Sequence, residues 1–492
     1  MPNDEIASEQ NLLNDYGDPI ASYDGHGVLK LQDAQEVNCE FEAGQLRTGD
    51  VLLLCKFNFS ATPPLWLWDW LFSGLWASRF EGRTLGGHKV FVDEHIMRTN
   101  YLPSGPVGRA RETFFTATEA FRLHEMHILM AEHPIQAKSV RFGVTNFEFT
   151  GTEAPQAANF SHRILPLSLR SASRRTDLQI IPVEQYSRIM KRVKTLKTID
   201  VTCEVAGEIP KDDGVARLKE VMDNLCYLLS VARGTKIQWV YCDQYDESGE
   251  LVMRTHSSSV TKPYCPLAVI DPRDDGGHET KTFLEQAYTA YDSKRDTYRL
   301  NLGTIDAYLD AKAENDYLET RGAKLAVALE MLKAVFLELP DSPVKEYVLT
   351  EKHFKKLVSA ISKAIDEALK QEGVKEGNSR KAICDQKKIQ GLNRRSFRSL
   401  INKLCKQIGL KVKRDEIALF VECRDKLVHM GRFYCTTATD EERQMCRPLP
   451  SEKDEYYFMV NLLDRIFLKL LGYSGAYIYR RSPETPARRE QI

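Results

Sequence analysis

Apolar and polar residues alternate with two different periods along this chain, and the change of period divides it. Up to about residue 275 the apolar runs are short and separated by Gly-containing turns, as in "GVLKLQDAQEVNCEFEAGQLRTGDVLLLCKFN". That spacing predicts strands. "SVRFGVTNFEFTG" (139–151), "LQIIPV", "TIDVTCEVAG" and "GTKIQWVYCDQYDESGELVMRTHS" continue it, and "DESGE" in the last reads as a hairpin turn. Helical stretches interrupt at "VEQYSRIMKRVKTL" and "GVARLKEVMDNLCYLLSVARG", the second closed by Gly234. "DPRDDGGHE" (271–279) is a polar, Gly-containing joint and the expected domain boundary.

Beyond that joint the helical period takes over. Leu325, Ala328, Leu329, Leu332, Val335 and Phe336 recur at helix spacing. "KHFKKLVSAISKAIDEALKQEG", "NRRSFRSLINKLCKQIGL", "RDEIALFVECRDKLVHMG" and "DEYYFMVNLLDRIFLKLLGYSG" follow on short connections, the pattern of a bundle. The expectation is an α+β chain: a strand-rich N-terminal domain (1–275), an all-α bundle (276–480) and a disordered tail (481–492).

A chain of 492 residues is too long for one ordinary core, in line with that division. The net charge of −1 leaves room only for a local polyanion-binding surface. The eleven cysteines form no C-x-x-C, which argues against a zinc knuckle and for reduced thiols in a cytoplasmic protein. The acidic N-terminus is unlike a signal peptide, and no apolar run is long enough to span a membrane.

"FVECRDKLVHMGRF" (420–433) raises a chemical question. Written as a helix, Ile417, Phe420, Val421, Leu427 and Val428 form one stripe, and Arg424 falls at its centre. A buried guanidinium must be paired or used, because desolvating it costs several kcal/mol. One reading is a structural ion pair. The other is a site: Asp425 and His429 are four residues apart, on one side of the helix, where the carboxylate could orient the imidazole. Arg424 lies about 140° around from His429 on a straight helix, so a second copy of the helix would bring the two together more easily. Gly431 is placed to end the helix.

"RDKLVH" looks like the R-x4-H signature of HEPN ribonucleases, with Arg424, Asp425 at the polar position and His429. "YLETRGAKLAVALEML" is similar to the leading helix of bacterial HEPN proteins. "SVRFGVTNFEF" and "LLSVARGTKIQWVYCDQYDESGELV" resemble the N-terminal domain of the large anti-phage, abortive-infection (ApeA-like) members. Asn is the commoner residue after the arginine; here Asp425 puts a carboxylate there instead. The resemblance implies a homodimeric, metal-independent endoribonuclease, without a cofactor and held inactive until a phage-derived or cellular trigger arrives. His429 would be the general acid or base, Arg424 would stabilise the phosphorane, and Asp425 would orient His429. The alternative is a non-catalytic HEPN-like bundle that binds RNA, dimerises or acts as a scaffold. Glu330, on the flank of the first long bundle helix, is a possible partner for Arg424.

Residues 379–414 carry twelve Lys or Arg against one acid, Asp385. Lys387, Lys388, Arg394, Arg395, Arg398 and Lys403 are the RNA-binding candidates, set against a simple solvated face. Phe397 is the one aromatic there, so no base-stacking platform is expected. Trp66, Trp68, Trp70 and Trp76 make either a core or an exposed trigger or partner site. His124 and His127, read as three apart on a helix, lack an evident third ligand, so no metal is expected.

Overall fold

The computed structural model describes residues 12–31, 35–59, 77–93, 96–98, 115–130, 135–153, 163–171, 174–211, 214–273, 275–339, 342, 345–374, 383, 385, 389, 391–437, 449–481 and 487–492. The chain separates into two units, Met1–Asp292 and Ser293–Ile492, with strands mostly in the first and helices mostly in the second.

The first unit carries β1 (Pro19–Leu31), β2 (Glu36–Leu46), β3 (Val51–Phe59), β4 (Ala77–Thr84), β5 (Lys89–Val92), β6 (Met97–Arg98), β7 (Phe115–Leu123) and β8 (Glu125–Leu129). It continues through β9 (Ser139–Thr145), β10 (Thr152–Glu153), β11 (Arg163–Ser171), β12 (Arg174–Pro182), helix α1 (Tyr186–Leu196), β13 (Val201–Glu208) and helix α2 (Gly214–Arg233). β14 (Trp239–Tyr245), β15 (Leu251–Ser257) and helix α3 (His278–Lys294) complete it. All fifteen strands join one antiparallel sheet in the order β10-β11-β12-β13-β9-β14-β15-β8-β5-β4-β1-β2-β3-β7-β6. β14 and β15 form the hairpin around "DESGE", where the Asp246 carboxylate accepts from the backbone N–H groups of Ser248 and Glu250.

Alternation sorts the strands by face. Leu29, Phe41, Leu53, Phe80, Phe121 and Ile128 point to one side and share one core. The sheet curls around it, for β15 stands four places from β1 in the order yet the Tyr23 hydroxyl lies 3.0 Å from His256 Nε2. His124 precedes, and His127 belongs to, a strand rather than a helix. His127 Nδ1 is 3.0 Å from Thr255 Oγ1 and its ring stacks on Phe91, so the histidine pair does not present the helical spacing a shared metal would use.

His256 is fully buried and its Nδ1 has no hydrogen-bond partner. Burial, reinforced by the nearby Arg254 guanidinium, pushes its pKa down to about 3. The native imidazole stays neutral over a range in which the unfolded chain takes up a proton. Its contribution is therefore complete above about pH 6.5 and falls by about 1.4 kcal/mol per pH unit below that. Urea unfolding of the first unit between pH 7 and 4.5 is expected to show this loss, and His256→Gln to flatten the slope. An unchanged slope in the variant would place the acid sensitivity elsewhere.

The expected boundary at 275 moves to 292. α3 is fastened to the sheet by three side chains one turn or so apart: Glu285 accepts from the Ser168 N–H at 2.8 Å, Thr289 Oγ1 donates to the Arg170 carbonyl at 2.7 Å, and Asp292 accepts from Ser171 Oγ at 2.5 Å. A helix so bound to β11 belongs with the strands. Its sequence has the same period as a bundle helix and does not disclose this.

The second unit holds α4 (Ile305–Asp310), α5 (Leu318–Glu338), α6 (Glu351–Gln371), α7 (Phe397–Gln407), α8 (Arg414–Met430), α9 (Tyr434–Thr437) and α10 (Glu452–Leu470). Leu329 and Phe336 of α5, Leu404 of α7, Phe420 of α8 and Leu463 of α10 are among its buried side chains. The unit is not all-α, and its end is not wholly without structure: β16 (Ala476–Tyr479) and β17 (Arg488–Gln491) pair antiparallel, Tyr477 opposite Glu490. Tyr477 is buried, and this anchor gives the terminal strand a fixed neighbour to pair with. Among the described residues no helix is long and apolar enough to cross a membrane.

Candidate active site on the Arg424 helix

α8 begins with Asp415 and Glu416 in its first turn, where carboxylates complement the helix dipole. It ends at Gly431 in the left-handed region, φ 67°, whose N–H closes on the Leu427 carbonyl at 3.0 Å. Its buried residues are Ile417, Phe420, Cys423 and Leu427. The stripe thus centres on the seam through Cys423, and Arg424 takes its flank, with Val421 half-buried and Val428 exposed. Sequence placed the arginine at the centre because it took Val421 and Val428 for core and left the small Cys423 out. Packing against α5 and α7 selected the other edge.

The Arg424 side chain keeps 17% of its exposure and is held on three sides. One terminal nitrogen donates to Glu330 Oε1 on α5 at 2.5 Å, and the other to Asp425 Oδ1 at 2.6 Å. The guanidinium lies 5.0 Å from the centroid of Phe397, the first residue of α7. Its Nε is buried without a hydrogen-bond partner. Lys333, one turn beyond Glu330, pairs with Glu330 Oε2 at 2.5 Å and lies 5.1 Å from the same Phe397 ring. Two cations, two carboxylates and one ring thus form a closed set over α5, α7 and α8.

His429 is exposed and, among the described residues, makes no hydrogen bond or ion pair. The Asp425 carboxylate, expected to orient it, instead accepts from Arg424. A single chain therefore gathers Arg424, Asp425 and Glu330 and leaves His429 apart, because the Asp425 carboxylate that shares its side of the helix is turned to Arg424. Phe397 and Lys333 were missed from sequence. The Glu330-x-x-Lys333 spacing on one helix was a usable signal for the lysine; nothing in a lone phenylalanine reveals that it will lie under a guanidinium.

Of the basic candidates, Arg394 pairs with Glu346 at 2.6 Å, and Arg395 donates to the Lys345 carbonyl at 3.1 Å. Arg398 donates to the Arg414 carbonyl at 3.2 Å, and Lys403 is half-buried with no ion pair among the described residues. Arg394 and Arg398 are exposed, as are Lys406, Lys411, Lys413 and Arg414 nearby in the chain. Lys387, Lys388, Trp66, Trp68, Trp70 and Trp76 lie outside the described residues. No group of three or more His, Cys, Asp or Glu that could hold a metal ion occurs among the described residues. Compared with known proteins, the chain matches no family model, no curated protein and no solved structure.

Proposed function

We propose that this chain is an endoribonuclease of the HEPN type, acting as a regulated toxin or in anti-phage defence and cleaving RNA in a homodimer. The observation that supports it most is the pairing, on one helix, of a fixed Arg424 with an exposed, unengaged His429. The first is a preorganised cation of the kind that stabilises a phosphorane, and the second is free to transfer a proton. In the reaction, the ribose 2′-oxygen attacks phosphorus while its proton passes to a base, and the bond to the 5′-oxygen breaks as that oxygen takes up a proton. The ends are a 2′,3′-cyclic phosphate and a 5′-hydroxyl. Exposed cations of the 394–414 segment would hold the RNA backbone. Because Arg424 and His429 face apart in one chain, the reading calls for a second copy to supply the complementary group.

The closed set around Arg424 favours a second reading, in which the arginine is a structural charge and the bundle binds RNA or dimerises without cutting. Incubation of the purified chain with RNA in chelator separates the two. The first reading expects fragments with cyclic phosphate and 5′-hydroxyl ends, and a loss of about 10²-fold or more in Arg424→Lys, which keeps the charge but not the planar fork. RNA left whole by the wild type, both in vitro and in phage-challenged cells, would overturn the first, and RNA binding or protection that persists without cutting would support the second.

A further inference from the structure

The outer face of the first unit's sheet contains a depression of about 780 Å³ that the ribonuclease reading does not use. Its floor is the strand backbone with short outward side chains: Val28 and Asn38 are register partners on β1 and β2. Gly27 of β1 and Gly82 of β4, also partners, turn the other way, and the Phe80 and Phe41 rings of the core fill the space a β-carbon would take, at 2.6 and 2.8 Å. Long side chains stand around this floor in a cross-strand row: Lys89, Arg83, His26, Glu40 and Lys56, each opposite the next on β5, β4, β1, β2 and β3. At about 4.8 Å between strands, the Lys89–Arg83–His26 part of that row spans about 10 Å.

The two carboxylates in the depression already have cation partners. Glu40 lies 3.4 Å from Lys56, and Glu81 lies 3.0 Å from Arg79 and 3.6 Å from Lys89. Among the described residues Arg83 has no carboxylate partner; its guanidinium donates to the Gly87 carbonyl at 3.1 Å. His26, its cross-strand neighbour, is exposed and makes no hydrogen bond among them. An open guanidinium fork beside an imidazole suits a phosphate. Across the floor, Asn38 and the Glu40 and Glu81 oxygens offer hydrogen bonds to hydroxyl groups, and Asn58 braces Glu40 by donating to its Oε1 at 3.1 Å. Among the described residues no Phe, Tyr or Trp lines the depression, so a base finds no broad ring there to stack on.

We propose that this depression binds a phosphorylated ribose, with Arg83, Lys89 and His26 on the phosphate and Asn38 and the glutamate oxygens on the sugar, indifferent to the base. A free nucleotide and the 5′-phosphorylated end of an RNA both carry this group. The site rests on residues of the first unit alone and stands or falls separately from the Arg424 chemistry.

Titration calorimetry of the full chain tests it with ribose 5-phosphate, AMP, UMP and a 5′-phosphorylated ten-nucleotide RNA, the last in a His429→Ala background so that the strand stays whole. Saturable binding is expected for ribose 5-phosphate, with AMP and UMP alike within about threefold. Arg83→Ala combined with Lys89→Ala should weaken it at least about tenfold, and Arg83→Lys severalfold. Arg163→Ala, which removes an exposed cation from β11, should leave it unchanged. RNA binding that depends on the 5′-phosphate and on Arg83 would identify a strand end as a source; nucleotide binding without it would identify the free compound. Absence of saturable binding by every probe overturns the proposal, as does equal affinity in the Arg83 and Lys89 variants, or an equal loss in Arg163→Ala.

Discussion

His429→Ala is expected to lower RNA cleavage by about 10²–10⁴-fold, the range for loss of a general acid or base, with stability unchanged. The imidazole is exposed and engaged by nothing among the described residues, so its removal leaves no orphaned partner and opens no cavity. Gel analysis of total RNA from cells making wild type or variant at equal levels, uninfected and phage-challenged, gives the rate comparison. The same pair of residues yields a sharper result. If each site takes Arg424 from one copy and His429 from its partner, mixing His429→Ala with Arg424→Ala chains restores one intact site per mixed dimer. Activity recovered on mixing two inactive proteins supports a shared site; none recovered, with mixed dimers demonstrated, excludes it. Cleavage by His429→Ala at the wild-type rate would remove His429 from the chemistry altogether.

Asp464→Ala is expected to destabilise the second unit by about 3–5 kcal/mol, the cost of breaking one half of a buried ion pair. Lys312 and Asp464 have no exposed side-chain surface, and Lys312 Nζ lies 2.7 Å from Asp464 Oδ1. Tyr308 donates to the same carboxylate oxygen and accepts from Lys312 at 2.6 Å. Arg480, from the β16 end, approaches the other oxygen at 3.6 Å. Without the carboxylate, a buried ammonium and a largely buried guanidinium lose the charge that Asp464 sets against them. In the native unit burial and the adjoining carboxylate hold the Tyr308 hydroxyl well above its ordinary pKa, so the carboxylate is the group that balances the buried cations. Urea unfolding measures the loss. The double variant Lys312→Met with Asp464→Leu should recover most of it, because two apolar groups leave nothing unpaired. A single-variant loss below about 1 kcal/mol would show that water or a rearranged arginine reaches the lysine.

Neither network was visible as such in the linear pattern. Lys312 and Asp464 are 152 residues apart, and Arg424 and Glu330 are 94 apart. Periodicity reports which side of an element is apolar; it does not report which element comes to lie against that side. Glu330 was legible as a candidate because it sits on the flank of α5, but the linear pattern does not set it apart from other charged residues of that helix such as Arg321. Arg321 in fact turns the other way, to the Tyr456 hydroxyl at 2.9 Å.

What the sequence by itself determined is local. Alternation with period two and turn residues such as "DESGE" determine the strands and the β14–β15 hairpin. The 3.6-residue period and Gly431 determine α8 and its end, and the five-residue spacing determines that Arg424 and His429 face apart. Tertiary structure alone decided that α3 joins the sheet, that Cys423 rather than Arg424 centres the buried face of α8, and that Arg424 meets Glu330 over Phe397. It also decided that Gly27 and Gly82 lie side by side over two core rings. The reason is physical: backbone dihedrals and hydrophobic period act within a few residues, whereas ion pairing, ring contacts and strand order depend on which distant surfaces exclude water from each other.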